Sequence, residues 1–104
     1  MTYREFWSHY LSVHSHSSTR RLHFIGTALA FTFPVLAVAT SEWWLLLGAP
    51  ICGYGFAWAG HFFIEKNEPA AFSSPLWSLI SDFRMFFLWC CGRLEPELVR
   101  TGVK

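Results

Sequence analysis

The chain has 104 residues, enough for one domain, and is 53% hydrophobic, 19% aromatic and only 14% charged, with a net charge of +1. This balance excludes an ordinary soluble domain and indicates a membrane protein, while the near-zero charge identifies no partner and gives no reason to expect nucleic acid. Cys52, Cys90 and Cys91 form no CxxC pattern. No disulfide framework is expected, and all three cysteines read as apolar packing residues.

At the N-terminus, Arg4, Glu5, His9, His14 and His16 interrupt the first 19 residues, so no apolar core of a cleavable signal is expected there. Tyr3, Phe6, Trp7, Tyr10 and His14 recur every three or four residues, the spacing of an amphipathic helix with an aromatic face opposite Arg4, Glu5 and Ser8. That face can lie on a membrane surface or pack against the rest of the chain. The polar string HSHSSTRR follows as a loop, with Ser17, Ser18 or Thr19 available to cap the next helix.

Two apolar runs come next, Leu22–Thr40 with 19 residues and Trp43–Phe63 with 21, joined by Ser41–Glu42. At 1.5 Å per residue they reach roughly 28 to 32 Å, about the hydrocarbon thickness of a bilayer, and predict two transmembrane helices forming an antiparallel hairpin. Pro34 and Pro50 predict bends, and Ala49, Gly53 and Ala57 form a small-residue stripe for close helix contact. The turn-rich EKNEPAAFSSP leads to a third aromatic run, Leu76–Cys91, whose Asp82 and Arg84 suit a re-entrant or interfacial segment better than a simple crossing. The expected architecture is an all-α integral membrane bundle in one domain over residues 1–104.

Arg4, Arg20 and Arg21 precede the first run and the hairpin link carries no basic residue, so the N-terminus is expected on the cytoplasmic side. Arg93, Arg100 and Lys104 favour the same side for the C-terminus. The hairpin then brings His23, at the start of the first run, beside His61, at the end of the second. Two imidazoles at one depth suggest a metal site, although a histidine at a span edge also serves as an interfacial hydrogen-bonding residue. His61 and Glu65 share a helix face at four-residue spacing, suited to ligation or to a carboxylate that orients the ring. His14 and His16 can fold back onto the hairpin, and His9 reads as a surface residue.

The strings HSSTRRLHFIGT, GYGFAWAGHFFIEKNEPA and PLWSLISDFRM resemble the signature blocks of the 2-hydroxy fatty acid dioxygenase family, small membrane proteins formerly grouped as a domain of unknown function. The likeness covers about Phe6 to Met85 and is strongest from Gly53 to Ala70. It implies an Fe(II) enzyme of alpha-oxidation that uses dioxygen, without 2-oxoglutarate, to cleave C1–C2 of a 2-hydroxy fatty acid. Carried onto this chain, it implies His14, His23 and His61 as metal ligands, with further functional positions at Glu65, Asn67 and Asp82. Asp82 and Glu65 stand open between iron ligation and hydrogen bonding to a ligand. Arg20 or Arg21 is expected to hold the substrate carboxylate, a role that competes with simple topological signalling. A bacterial inner membrane with the site towards the cytoplasm is the expected setting.

Two readings from other classes compete. A haem-binding electron carrier would use two histidines as axial ligands, and a structural membrane subunit would use its polar residues only for helix packing.

Overall fold

The computed structural model describes all 104 residues and is helical throughout, without strands. Helix α1 (Tyr3–Ser12) starts where Thr2 accepts a hydrogen bond from the Glu5 backbone N–H. Helix α2 (Ser17–Thr40) is the one helix long and apolar enough to cross a membrane. It ends at Ser41, which takes the left-handed conformation at φ 58°, so the expected link Ser41–Glu42 is where the chain reverses.

The second run is not one uninterrupted α-helix. It divides into a 3₁₀ stretch (Trp43–Leu47), helix α3 (Gly48–Ala59) and a π-helical segment (Gly60–Glu65). Of the two long spanning helices expected from sequence, α2 alone is one uninterrupted helix of spanning length, and the second run is a composite segment that packs back along it. Pro50 lies in the first turn of α3, where a missing N–H costs little because that group has no intrahelical acceptor. Pro34 lies inside α2.

Of the small-residue stripe, Gly53 lies against α2, where Ala30 Cβ would stand 3.7 Å from an added side chain, and Gly26, which carries no periodic signal, completes the contact. A Cβ added at Gly26 would stand 3.0 Å from the Cys52 carbonyl, 3.1 Å from Phe56 Cβ and 3.2 Å from the Gly53 carbonyl. Backbone thus meets backbone where α2 crosses α3, which only a missing side chain permits.

After a 3₁₀ turn (Ala70–Phe72), α4 (Pro75–Cys90) and α5 (Leu94–Arg100) complete the chain. Helix α5 occupies the tail, where only basic residues had been noted. Its Leu94 and Leu98 join Phe6, Trp7, Tyr10, Leu11, Phe24, Ala70 and Met85 in the buried core. The aromatic face of α1 is therefore internal: Phe6 and Trp7 are 1% exposed and Tyr10 and Leu11 fully buried. Arg84 sits 4.1 Å over the Trp7 ring and reaches Glu97, so its charge is paired at the edge of this core.

Elsewhere large apolar side chains face outwards, including Val35 and Val38 on α2, Ile51 on α3 and Leu79 and Ile80 on α4. Such extensive apolar exposure marks a surface made for something other than water. The three cysteines are free, but Cys90 and Cys91 are exposed rather than packed.

Gly26→Leu should drive α2 and α3 apart. We predict a loss of about 1–3 kcal/mol of stability, read as a lower melting temperature in detergent. An unchanged melting temperature would contradict the close crossing.

Candidate metal centre

His14 follows α1, His23 belongs to the second turn of α2, and His61 lies in the π-helical segment after α3. All three are buried, at 0%, 4% and 2% exposure. One ring nitrogen of each lies within 4.8 Å of the other two. The sequence brought His23 and His61 together by hairpin geometry, and the fold adds His14 because the loop after α1 is bonded to Arg20, Glu65 and Asn67 of the hairpin and its exit.

The hydrogen bonds fix which nitrogens face inward. His14 Nδ1 lies 2.6 Å from the Tyr10 carbonyl and His23 Nδ1 lies 3.3 Å from the Thr19 carbonyl. Carbonyl oxygens only accept, so each Nδ1 carries the hydrogen. His61 Nδ1 lies 2.8 Å from Asn67 Oδ1, while Asn67 Nδ2 donates to the Val13 carbonyl at 3.1 Å. That second bond settles the amide orientation, making Oδ1 the acceptor and His61 Nδ1 the donor. Each neutral imidazole is left with its lone pair on Nε2, the arrangement that orients metal-binding histidines.

Nε2 of His14 and Nε2 of His23 are 3.0 Å apart. With both Nδ1 atoms protonated, neither neutral ring can donate to the other, so two lone pairs confront each other in a buried site. A cation relieves this. At metal–imidazole bonds of about 2.1 Å, ligands at right angles stand about 3.0 Å apart, matching the separation seen. The pocket lined by the three histidines, with Tyr54, Trp58 and Asp82 on its wall, encloses about 10 Å³, room for one water-sized body. The donor set therefore fits a single metal ion.

Asp82 lies on α4 with its Oδ1 3.9 Å from His23 Nε2 and accepts a hydrogen bond from Tyr10 Oη. It thus stands on the open side of the nitrogen cluster, not behind a ring at Nδ1. Burial pushes its carboxyl up to about 7, against the Tyr10 hydrogen bond, which lowers it. Asp82, His23 and Tyr54 also line a second cavity of about 290 Å³ between α2, α3 and α4, walled mainly by Ala30, Ala49, Gly53, Leu79 and Phe83.

The loop that carries His14 is held from three sides. Arg20 Nη1 donates to the carbonyls of His14 and Ser15, at 2.7 and 2.9 Å. Glu65 accepts from Ser15 Oγ and from the His16 backbone N–H, at 2.9 and 2.7 Å. Asn67 takes Val13 from the other end.

Glu65 is therefore not paired with the His61 ring as its four-residue spacing suggested. The segment is π-helical, which rotates the two side chains out of register, and the carboxylate lies instead at the N-terminus of α2. This explains why α2 begins at Ser17 with His16 as its cap and none of Ser17, Ser18 or Thr19 in that role.

Arg20 and Arg21 line a separate cavity of about 230 Å³ with Phe24, Trp89 and Glu95. His9 and His16 are exposed and away from the cluster. Tyr10, missed from sequence, was legible only as part of an aromatic stripe.

Burial, followed by the neighbouring His23 and His61, pushes His14 well below the usual imidazole value of 6.5. A base depressed on folding binds more protons unfolded, so its contribution is intact above 6.5 and lost as pH falls below it. We predict that the metal-free protein melts at progressively lower temperature from pH 6.5 downwards. A flat profile to pH 5 would contradict a buried neutral His14.

Comparison with known proteins bears on the same residues. The profile of the family described as 2-hydroxy-palmitic acid dioxygenase Mpo1-like matches residues 1–94, a span that contains all three histidines, Asn67 and Asp82. No curated protein and no solved structure matches the chain. With the match extending over nearly all of its 104 residues, this chain belongs to the 2-hydroxy-palmitic acid dioxygenase Mpo1-like family.

Proposed function

We propose that the protein is a membrane-embedded Fe(II)-dependent dioxygenase that shortens 2-hydroxy fatty acids by one carbon. The observation that carries this reading is the convergence of His14, His23 and His61 on one small pocket, each with Nδ1 held by an acceptor and Nε2 turned inward. The family description supplies the substrate class, and the preference for iron rests on it, because imidazole accepts several divalent metals.

The reaction balances as a 2-hydroxy acid plus dioxygen giving the acid one carbon shorter, carbon dioxide and water. Four electrons leave the two cleaved carbons and reduce one dioxygen, so neither 2-oxoglutarate nor an external reductant is required. Ferrous iron, when bound, supplies Lewis acidity towards the hydroxy-carboxylate and a partner for dioxygen.

The chain's own residues account for the remainder. The three neutral histidines hold the metal without cancelling its charge. Asp82 faces both the metal pocket and the larger cavity, placing its carboxylate where it can take the proton of the substrate hydroxyl, with Tyr10 Oη donating to it and holding its position. Arg20 and Arg21, expected to hold the substrate carboxylate, line a different cavity from the histidines and Asp82, and Arg20 commits Nη1 to the His14 loop, so the carboxylate is better held at the metal.

We place α2 across the membrane, with α3 returning beside it and the N-terminus on the cytoplasmic side of a bacterial inner membrane. The exposed apolar belt and the positions of Arg4, Arg20 and Arg21 support this. The haem alternative does not fit, because a pocket of about 10 Å³ between three adjacent imidazoles has no room for a macrocycle.

His61→Ala should abolish iron retention and turnover, whereas His9→Ala, far from the cluster, should affect neither. Equal behaviour of the two variants, measured by elemental analysis and oxygen uptake with a 2-hydroxy fatty acid, would refute the assignment. Asn67→Ala removes the acceptor behind His61 and should weaken metal affinity by about 10–100-fold in an equilibrium titration. Unchanged affinity would mean that Asn67 only shapes the turn.

A further inference from the structure

The histidine pocket holds no more than a water-sized body, so a substrate with a long apolar tail needs room beside it. The cavity between α2, α3 and α4 shares His23, Tyr54 and Asp82 with that pocket. Along α2 it runs from His23 past Thr27 to Ala30, roughly 10 Å at 1.5 Å per residue. Small side chains make the room: Ala30 on α2 faces Gly53 on α3, with Ala49 one turn further along.

At the rim, Pro50 and Leu79 line the cavity and are exposed. Beside them stand Ile51 and Ile80, also exposed, so the mouth opens onto the apolar belt. Polar chemistry is gathered at the His23–Asp82 end and apolar walls at the other, a gradient that matches a single-chain amphiphile with its head at the metal.

We propose that this groove is a lateral slot through which an acyl chain already dissolved in the bilayer reaches the histidine pocket, with Pro50 and Leu79 at its mouth. The inference rests on the dioxygenase reading for the identity of the head group, and it adds the route and the residues that hold the tail. The occupant is an acyl chain because the slot joins the metal pocket at one end and the apolar belt at the other.

The test uses the full chain in phospholipid vesicles and a 2-hydroxy fatty acid carrying a photoreactive diazirine midway along its tail, with cross-links mapped by mass spectrometry. Cross-links should fall on Thr27–Ala30, Ala49–Tyr54 or Leu79–Phe83 and disappear when unlabelled acid competes. Ala49→Leu fills the space of about three methylenes and should weaken labelling roughly 50-fold, with Ala30→Val as the milder variant should the first fail to fold.

Cross-links confined to the outer positions Val35, Val38 and Leu47, or labelling indifferent to competitor and to both variants, would overturn the slot. Specific labelling without turnover would sustain the slot and count against the dioxygenase. Turnover with only outer labelling would do the reverse.

Discussion

The arrangement turns on two nitrogens. Nε2 of His14 and Nε2 of His23 face each other at 3.0 Å, and neither ring can bring a proton to the contact because each has committed its hydrogen to a backbone carbonyl. Burial disfavours protonating either one to relieve the conflict. The fold therefore holds a lone-pair repulsion that a cation resolves, and the third imidazole, His61, is fixed in the same sense by Asn67. An ordinary set of core histidines would be free to choose tautomers that satisfy one another. Here the surrounding acceptors remove that freedom.

Much of the remaining structure serves to keep those rings in place. The loop between α1 and α2 carries His14 and is clamped by Arg20, Glu65 and Asn67, residues from both sides of the hairpin. Helix α1 is anchored by its buried aromatic face, and α5 closes the other side of that core. A local polar network is thus backed by a compact core at one end of the molecule, while the apolar belt along α2, α3 and α4 faces outwards. The division accords with the proposed placement of the histidines at a membrane boundary.

Hairpin topology was legible from the two apolar runs and their two-residue link, and with it the meeting of His23 and His61. Of the stripe Ala49, Gly53 and Ala57, Gly53 lies at the close crossing, while Ala49 lines the cavity beside it. Its partner Gly26 was hidden because one glycine within an apolar run carries no periodic signal. The break-up of Trp43–Phe63 into 3₁₀, α and π segments was also invisible, since hydropathy reports apolarity and not hydrogen-bond register. That register change is why Glu65 swings to the start of α2 rather than to His61. The place of α1 could not be settled from its aromatic spacing, because a stripe that packs internally and one that lies on lipid have the same periodicity. Asp82 and Tyr10 lie far apart in sequence, and only the docking of α1 on α4 reveals that they form a pair.

If three neutral imidazoles ligate one metal ion, X-ray absorption spectroscopy on protein loaded anaerobically with Fe(II) will count them through multiple scattering from the rings. Three imidazole ligands per iron are expected, with oxygen donors completing the shell. A spectrum with one imidazole or none, or with sulfur in the shell, would contradict it.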